Sequence, residues 1–374
     1  MSGDTAVTDG TAATPLAELT TMRVGGAARE LLTPASREEL VAATLDVWAS
    51  GEDWFVLGGG SNLVVADEGF DGSVIRVVTR GIETVSDDGS RVVLRVQAGE
   101  PWDDLVAHTV DNGLAGIEAL SGIPGSTGAA PVQNIGAYGQ EISSTLVAIE
   151  FLDYLSGDLQ RLTAAELAFD YRTSALKQGR RGLVVAVELG LTRGAEGTPV
   201  AYAQLASSLG VELGDRVALR AVRDTVLALR ASKGMVLDPA DPDSVSCGSF
   251  FTNPIVGENF ARTLPEQAPR WANAPEPAPV AVPLGEEPAT PPEQTDFRVK
   301  LSAAWLIEKA GIGRGFSLPG SRAAISSKHT LAIVNTGGAT AADVTELGRY
   351  VQTRVFSQFG VRMLAEPVLV GVSL

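Results

Sequence analysis

At 374 residues, 45% of them hydrophobic and 20% charged, the chain exceeds the size at which one core stops growing and has the apolar material for two or three. Its formal net charge of -16 argues against nucleic acid, whose recognition rests on basic patches that neutralise phosphates. Two histidines, His108 and His329, leave a His-based zinc site without raw material, and the single cysteine, Cys247, forbids an internal disulfide. No apolar run approaches the roughly 20 residues that span a bilayer, and the start "MSGDTAVTDGTAATP" has neither a basic nor an apolar signal region, so a soluble, cytoplasmic protein is expected.

Residues 1–18 are small and polar and read as a disordered tail. The stretch "SREELVAATLDVW" predicts a helix capped by Ser36 with Glu39 three residues on, and with Leu40, Leu45 and Trp48 on one face. "WFVLGGGSNLVV" reads as a buried strand, a glycine turn and a second strand. "SVIRVV" and "RVVLRVQA" are further strands, and "WDDLVAHTVDNG" is a helix stopped by Gly113. "VAIEFLDYLSGDLQRL" predicts two strands joined at Ser156-Gly157-Asp158. A short helix is expected after the Thr163/Glu166 capping pair, then a loop with Tyr171 and Arg172, then the strand "RGLVVAVELGL". "RVALRAVRDTVLALRASK" predicts a helix with its arginines on the outer face. Residues 263–295 are rich in Pro, Ala and Glu and predict an exposed insert without a catalytic part. A helix with the stripe Val344, Leu347, Val351, Val355 and Phe359 and a strand "EPVLVGV" close the chain.

Two glycine-rich stretches offer binding chemistry. In "VLGGGSN" the glycines let backbone amides approach a phosphate closely, and Ser61 and Asn62 add donors; taken alone, such a turn is more often only a turn, and it does not match G-x-G-x-x-G. "LSGIPGSTGAAPVQNIGAYGQE" interleaves glycines with Ser, Thr, Gln, Asn and small apolar residues, which suits an extended segment pressed against a large polar cofactor. A tightly turned core loop is the plainer alternative.

With "TMRVGGAA" before them and "FDYRTSALK", "GSFFTNP", "AAWLIEKAG", "SSKHTLAIVN" and "AEPVLVG" after, these motifs resemble the UDP-N-acetylenolpyruvoylglucosamine reductase family from about Thr20 to Val370. The resemblance implies an α+β chain with a vanillyl-alcohol-oxidase/p-cresol-methylhydroxylase-like FAD-binding fold. It implies a first FAD subdomain over 19–85, a second over 86–235 and a substrate domain over 236–374. The implied reaction is NADPH-dependent, FAD-mediated reduction of UDP-N-acetylglucosamine enolpyruvate to UDP-N-acetylmuramate in cell-wall synthesis, by a protein expected to be a monomer.

Carried over residue by residue, the resemblance makes Ser249 the proton donor and Arg172 and Glu366 the stabilisers of the enolate. It assigns FAD contacts to Thr21, Arg23, Gly25, Gly58, Gly59, Gly60, Ser61, Asn62, Ser121, Gly122, Ile123, Pro124, Gly125, Ser126, Gly128, Gln133, Asn134, Gly136 and Glu141. Substrate contacts fall to Tyr202, Lys233, Asn253 and Tyr138. The segment "PVAYAQLASSLG" places the chain in the branch that keeps a substrate-covering tyrosine loop.

Cys247 is expected to be inert, because no histidine or cation shares a motif with it and nothing in the implied reaction needs a covalent intermediate. Phe250 and Phe251 are read as core, and His108 as a structural or surface histidine. Two other readings stay open: a different FAD oxidoreductase or oxidase of the same fold, and an inactive UDP-sugar binding protein.

Overall fold

The computed structural model describes residues 14–272 and 297–374. Most of the expected tail and of the Pro-rich insert therefore lie outside the described residues. The first unit is a three-stranded parallel sheet in which Phe70–Arg76 lies between Ala28–Leu32 and Trp54–Leu57. The helix Arg37–Ser50 connects the two outer strands. Its capping box is formed as expected, with Ser36 accepting from the Glu39 amide, and Gly51 ends it at φ 73°. Its buried face is Leu40, Thr44 and Val47. Leu45 is exposed, so the expected apolar stripe is one position off.

A second, antiparallel sheet runs in the order Leu159–Thr163, Leu146–Asp153, Gly182–Arg193, Arg91–Gln97, Ile82–Asp87. Its central strand reads "GLVVAVELGLTR" and is mostly buried, as a strand covered on both faces must be. Helix Trp102–Asp111 packs its apolar side into the same core, which also takes Phe151, Leu189 and Trp102. The third unit joins strands Ser246–Ser249, Ala332–Asn335 and Ala323–Ile325 in an antiparallel sheet. Helix Ala341–Phe359 covers it, with Val344, Leu347, Val351 and Val355 in a separate core that also takes Phe250 and Phe251. The last strand, Val368–Val370, returns to pair in parallel with Leu63–Val65, which carries the chain's end back to the glycine turn.

Two further expectations fail. Thr163 and Glu166 do bond reciprocally, yet no helix follows, because Ala168 and Arg172 take left-handed backbone at φ 44° and 52°. On helix Leu219–Ala231 the arginines do not all face outward. Arg223 is 8% exposed and makes a two-pronged pair with Asp103, at 2.6 and 2.9 Å, which compensates its buried charge.

Candidate active site

A cavity of about 510 Å³ lies where the glycine turn, the second glycine-rich loop, the Arg172 loop and the strand Ser246–Ser249 converge. Its floor is two backbones in contact. A side-chain carbon at Gly59 would lie 2.6 Å from the Gly125 Cα, and one at Gly58 would lie 2.4 Å from the Ser126 hydroxyl. Gly60 adopts φ 64°, and a carbon there would meet the Leu19 carbonyl at 2.0 Å. Only glycine fits this approach.

Arg172 sits in left-handed backbone, strain that the surrounding loop must hold. Its guanidinium donates to the Gly136 carbonyl at 2.9 Å, and its Nε lies 3.5 Å from Glu366 Oε1. The Glu366 amide donates to the Phe250 carbonyl at 3.0 Å, which brings residue 366 beside Ser249. The Asn62 amide group donates to the Glu366 carbonyl at 3.3 Å and to Gln133 Oε1 at 2.9 Å. Burial raises the Glu366 pKa above its ordinary value, and Arg172 and Lys177 partly oppose the rise. A carboxyl in this setting keeps its proton to higher pH than a free one, and in that form it can donate a hydrogen bond.

Ser249 ends its strand and lines the cavity next to Gly248, whose φ is 76°. Cys247 also lines it but is 4% exposed, and burial pushes its thiol up to about 12. Such a group does not ionise near neutrality, and the burial agrees with a small hydrophobe in the wall.

Among the residues expected to bind the cofactor, Gly58 to Asn62, Ile123 to Ser126, Gln133 and Gly136 line the cavity. Thr21, Arg23, Gly25, Ser121, Gly122, Gly128, Asn134 and Glu141 do not. Several of these hold the walls. Thr21 donates its amide to Gly60 and its hydroxyl to the Ser246 carbonyl. Gly25 and Gly128 allow close contact with Val65 and Ala98. Asn134, at φ 47°, donates to Glu141 at 2.7 Å, and the Gly122 amide donates to Asp103 at 2.6 Å. The Ser121 hydroxyl donates to the Glu118 carbonyl, and the Arg23 carbonyl accepts from Asn335.

Tyr138, Tyr202 and Lys233 form a cluster of their own outside that lining. The two rings meet edge to face at 5.6 Å, and the Lys233 ammonium sits 5.7 Å from the Tyr138 ring centre. Tyr202 is 44% exposed. Asn253 is engaged elsewhere, accepting from the Ala303 amide at the start of helix Ala303–Lys309. His329 does not line the cavity, and burial near Lys233 and Arg314 lowers its pKa to about 4. His108 is exposed.

Two charged lining residues escaped the sequence reading. Lys177 closes the "YRTSALK" motif and donates to Gln133 Oε1 at 3.2 Å. Arg230 keeps some accessible surface at the cavity wall, but its Nε is shielded and has no hydrogen-bond partner. Burial pulls its pKa down to about 10. Its place on a helix with an apparent outer row of arginines concealed it.

The site's chemistry suits FAD: a cradle that any side chain would fill, built from two glycine turns whose backbone can approach phosphates closely. Fold and cavity together define a FAD-dependent oxidoreductase with a vanillyl-alcohol-oxidase-like flavin fold. The family profile described as FAD binding domain matches residues 28–163, and the one described as UDP-N-acetylenolpyruvoylglucosamine reductase, C-terminal domain, matches 239–370.

The chain belongs to the UDP-N-acetylenolpyruvoylglucosamine reductase family. It is 60% identical to the protein of that name from Leifsonia xyli, with 96% of this chain and 98% of that one covered. It is 50% identical to the one from Thermobifida fusca over the same shares. The crystal structure of the enzyme from Thermus caldophilus superposes with a TM-score of 0.59 at 27% identity, covering 96% of this chain and 97% of that one.

Proposed function

We propose that the cavity reduces the enolpyruvyl group of UDP-N-acetylglucosamine enolpyruvate to the lactyl ether of UDP-N-acetylmuramate, a step of peptidoglycan precursor synthesis. Ser249, Arg172 and Glu366 do the work of the chain's own residues. The observation that carries the reading is the convergence of these three, from distant parts of the sequence, on one wall of a cavity floored by glycines. Bound FAD, reduced by NADPH, supplies the hydride.

Hydride arrival at the terminal carbon of the enolpyruvyl group leaves an electron pair on the neighbouring carbon, delocalised into its carboxylate. Arg172 offers donors to that developing charge, and a protonated Glu366 adds another, in a site where fixed donors need no reorganisation. Ser249 gives its hydroxyl proton to the carbon. A serine is a weak acid, but beside a strongly basic carbon the transfer needs only reach.

Lys233, Tyr138 and Tyr202 form the covering cluster for the UDP-sugar, and Arg230 meets its anionic groups from the wall between that cluster and the cavity. Burial near Arg230 lowers the Lys233 pKa, and an arriving diphosphate relieves two crowded cations at once. No helix among the described residues is long and apolar enough to cross a membrane, and a monomer in the cytoplasm is the setting we assign.

The test is direct. Purified protein loaded with FAD should oxidise NADPH anaerobically, with turnover only when UDP-N-acetylglucosamine enolpyruvate is added. Turnover that requires O2 and ignores the sugar would overturn the proposal.

A further inference from the structure

Glu366 has two carboxyl oxygens, and the enolate needs a donor from one of them. Which oxygen carries the proton is decided by the neighbours. Oε1 faces the Arg172 Nε at 3.5 Å and the Gln133 side-chain nitrogen at 3.4 Å. The orientation of the Gln133 amide is fixed rather than free. Its oxygen accepts from the Lys177 ammonium at 3.2 Å and from Asn62 at 2.9 Å. An ammonium has only donors, so the Gln133 atom that faces Lys177 must be the carbonyl oxygen, and the amide nitrogen must turn to Glu366.

We propose that Gln133, held by Lys177 and Asn62, is a positioning residue that confines the Glu366 proton to Oε2. A proton on Oε1 would point at two groups that can only donate to it. Oε2 is the oxygen left to serve as donor. This inference rests on the reading of Glu366 as a protonated donor given above, and adds the residues that make it act in one orientation.

The same contacts set the carboxyl's titration. The titratable groups that face Glu366 are Arg172, Lys177, Tyr171 and Cys247. The two cations favour the ionised form, as does the donor from Gln133, while burial opposes it. Removing the Gln133 donor therefore raises the Glu366 midpoint, and the acid persists to higher pH. Removing the Lys177 charge acts in the same sense, but less, because Lys177 is exposed and screened.

The measurement is the infrared C=O band of the protonated carboxyl in oxidised holoenzyme as pH rises, assigned by its loss in Glu366→Gln. Gln133→Leu should move its midpoint up by about one unit, the low end of a charged hydrogen bond because the contact is long. Lys177→Met should give a smaller rise and Lys177→Arg none. Gln133→Met serves in its place if Gln133→Leu fails to fold or to hold flavin. A Glu366 band that titrates at the wild-type pH in Gln133→Leu overturns the inference, whatever Lys177→Met does, and leaves the reductase reading standing. Absence of any Glu366-dependent band across the stable pH range removes the protonated donor, and the inference falls with it.

Discussion

Replacing Gly59 with alanine should cost the protein its flavin. Gly59 has no left-handed backbone, so alanine meets no conformational penalty there and the effect is steric alone. The added carbon would lie 2.6 Å from the Gly125 Cα, 2.7 Å from its carbonyl carbon and 3.0 Å from the Ser126 amide nitrogen. All three are backbone, so no side chain can swing aside. Ordinary carbon contacts of about 3.5–4.0 Å require the two glycine loops to part by roughly 1 Å. Overpacking of this kind costs about 1–3 kcal/mol. If that cost falls on the closed cradle, FAD affinity drops by roughly 5- to 150-fold. Titration of apoprotein with FAD, followed by flavin fluorescence, reads the change. Wild-type affinity in Gly59→Ala would show that the two loops do not form the cradle.

Other consequences are independent of that one. Arg230→Met removes the unpartnered Nε together with the Nη2 bond to the Met235 carbonyl at 2.8 Å, two opposing changes that should leave the melting temperature of apoprotein little altered, while UDP-sugar affinity in the holoenzyme falls by about 10- to 150-fold, the worth of a charged hydrogen bond. Calorimetric melting and equilibrium titration read the two halves. Cys247, with its thiol pushed up to about 12, should resist iodoacetamide at pH 8 in the native protein and react once the protein is unfolded, as mass spectrometry will show.

The order of elements was legible because hydrophobic runs, caps and glycine stops carry local physics: the Ser36/Glu39 box and the Gly113 stop sit where the sequence puts them. The region after Thr163 was not, because its capping pair is the same pair that starts a helix, and only tertiary contacts hold Ala168 and Arg172 in left-handed backbone. Arg223 and Arg230 misled for a related reason. Helical spacing assigns a face, but the partner Asp103 lies 120 residues from Arg223 in the chain, and the cavity beside Arg230 is built by several distant loops.

The candidate site was legible in its segments, through the motifs that carry the family resemblance. It was less so in its contacts. Thr21, Gly25 and Gly128 read as cofactor contacts, but the structure engages them in holding the walls. Lys177 and the Gln133 amide it orients could not be found by spacing, since their meaning depends on a donor, an acceptor and a carboxyl from three separate loops.

The central claim is that Ser249 supplies the proton at carbon and takes no part in loading the hydride. Anaerobic stopped-flow absorbance in the oxidised-flavin band tests it in two halves, first with NADPH and then with UDP-N-acetylglucosamine enolpyruvate. Ser249→Ala should be reduced at the wild-type rate and reoxidised by the sugar at least about 100-fold more slowly, the typical worth of a positioned acid. Reoxidation at the wild-type rate would contradict the assignment of Ser249.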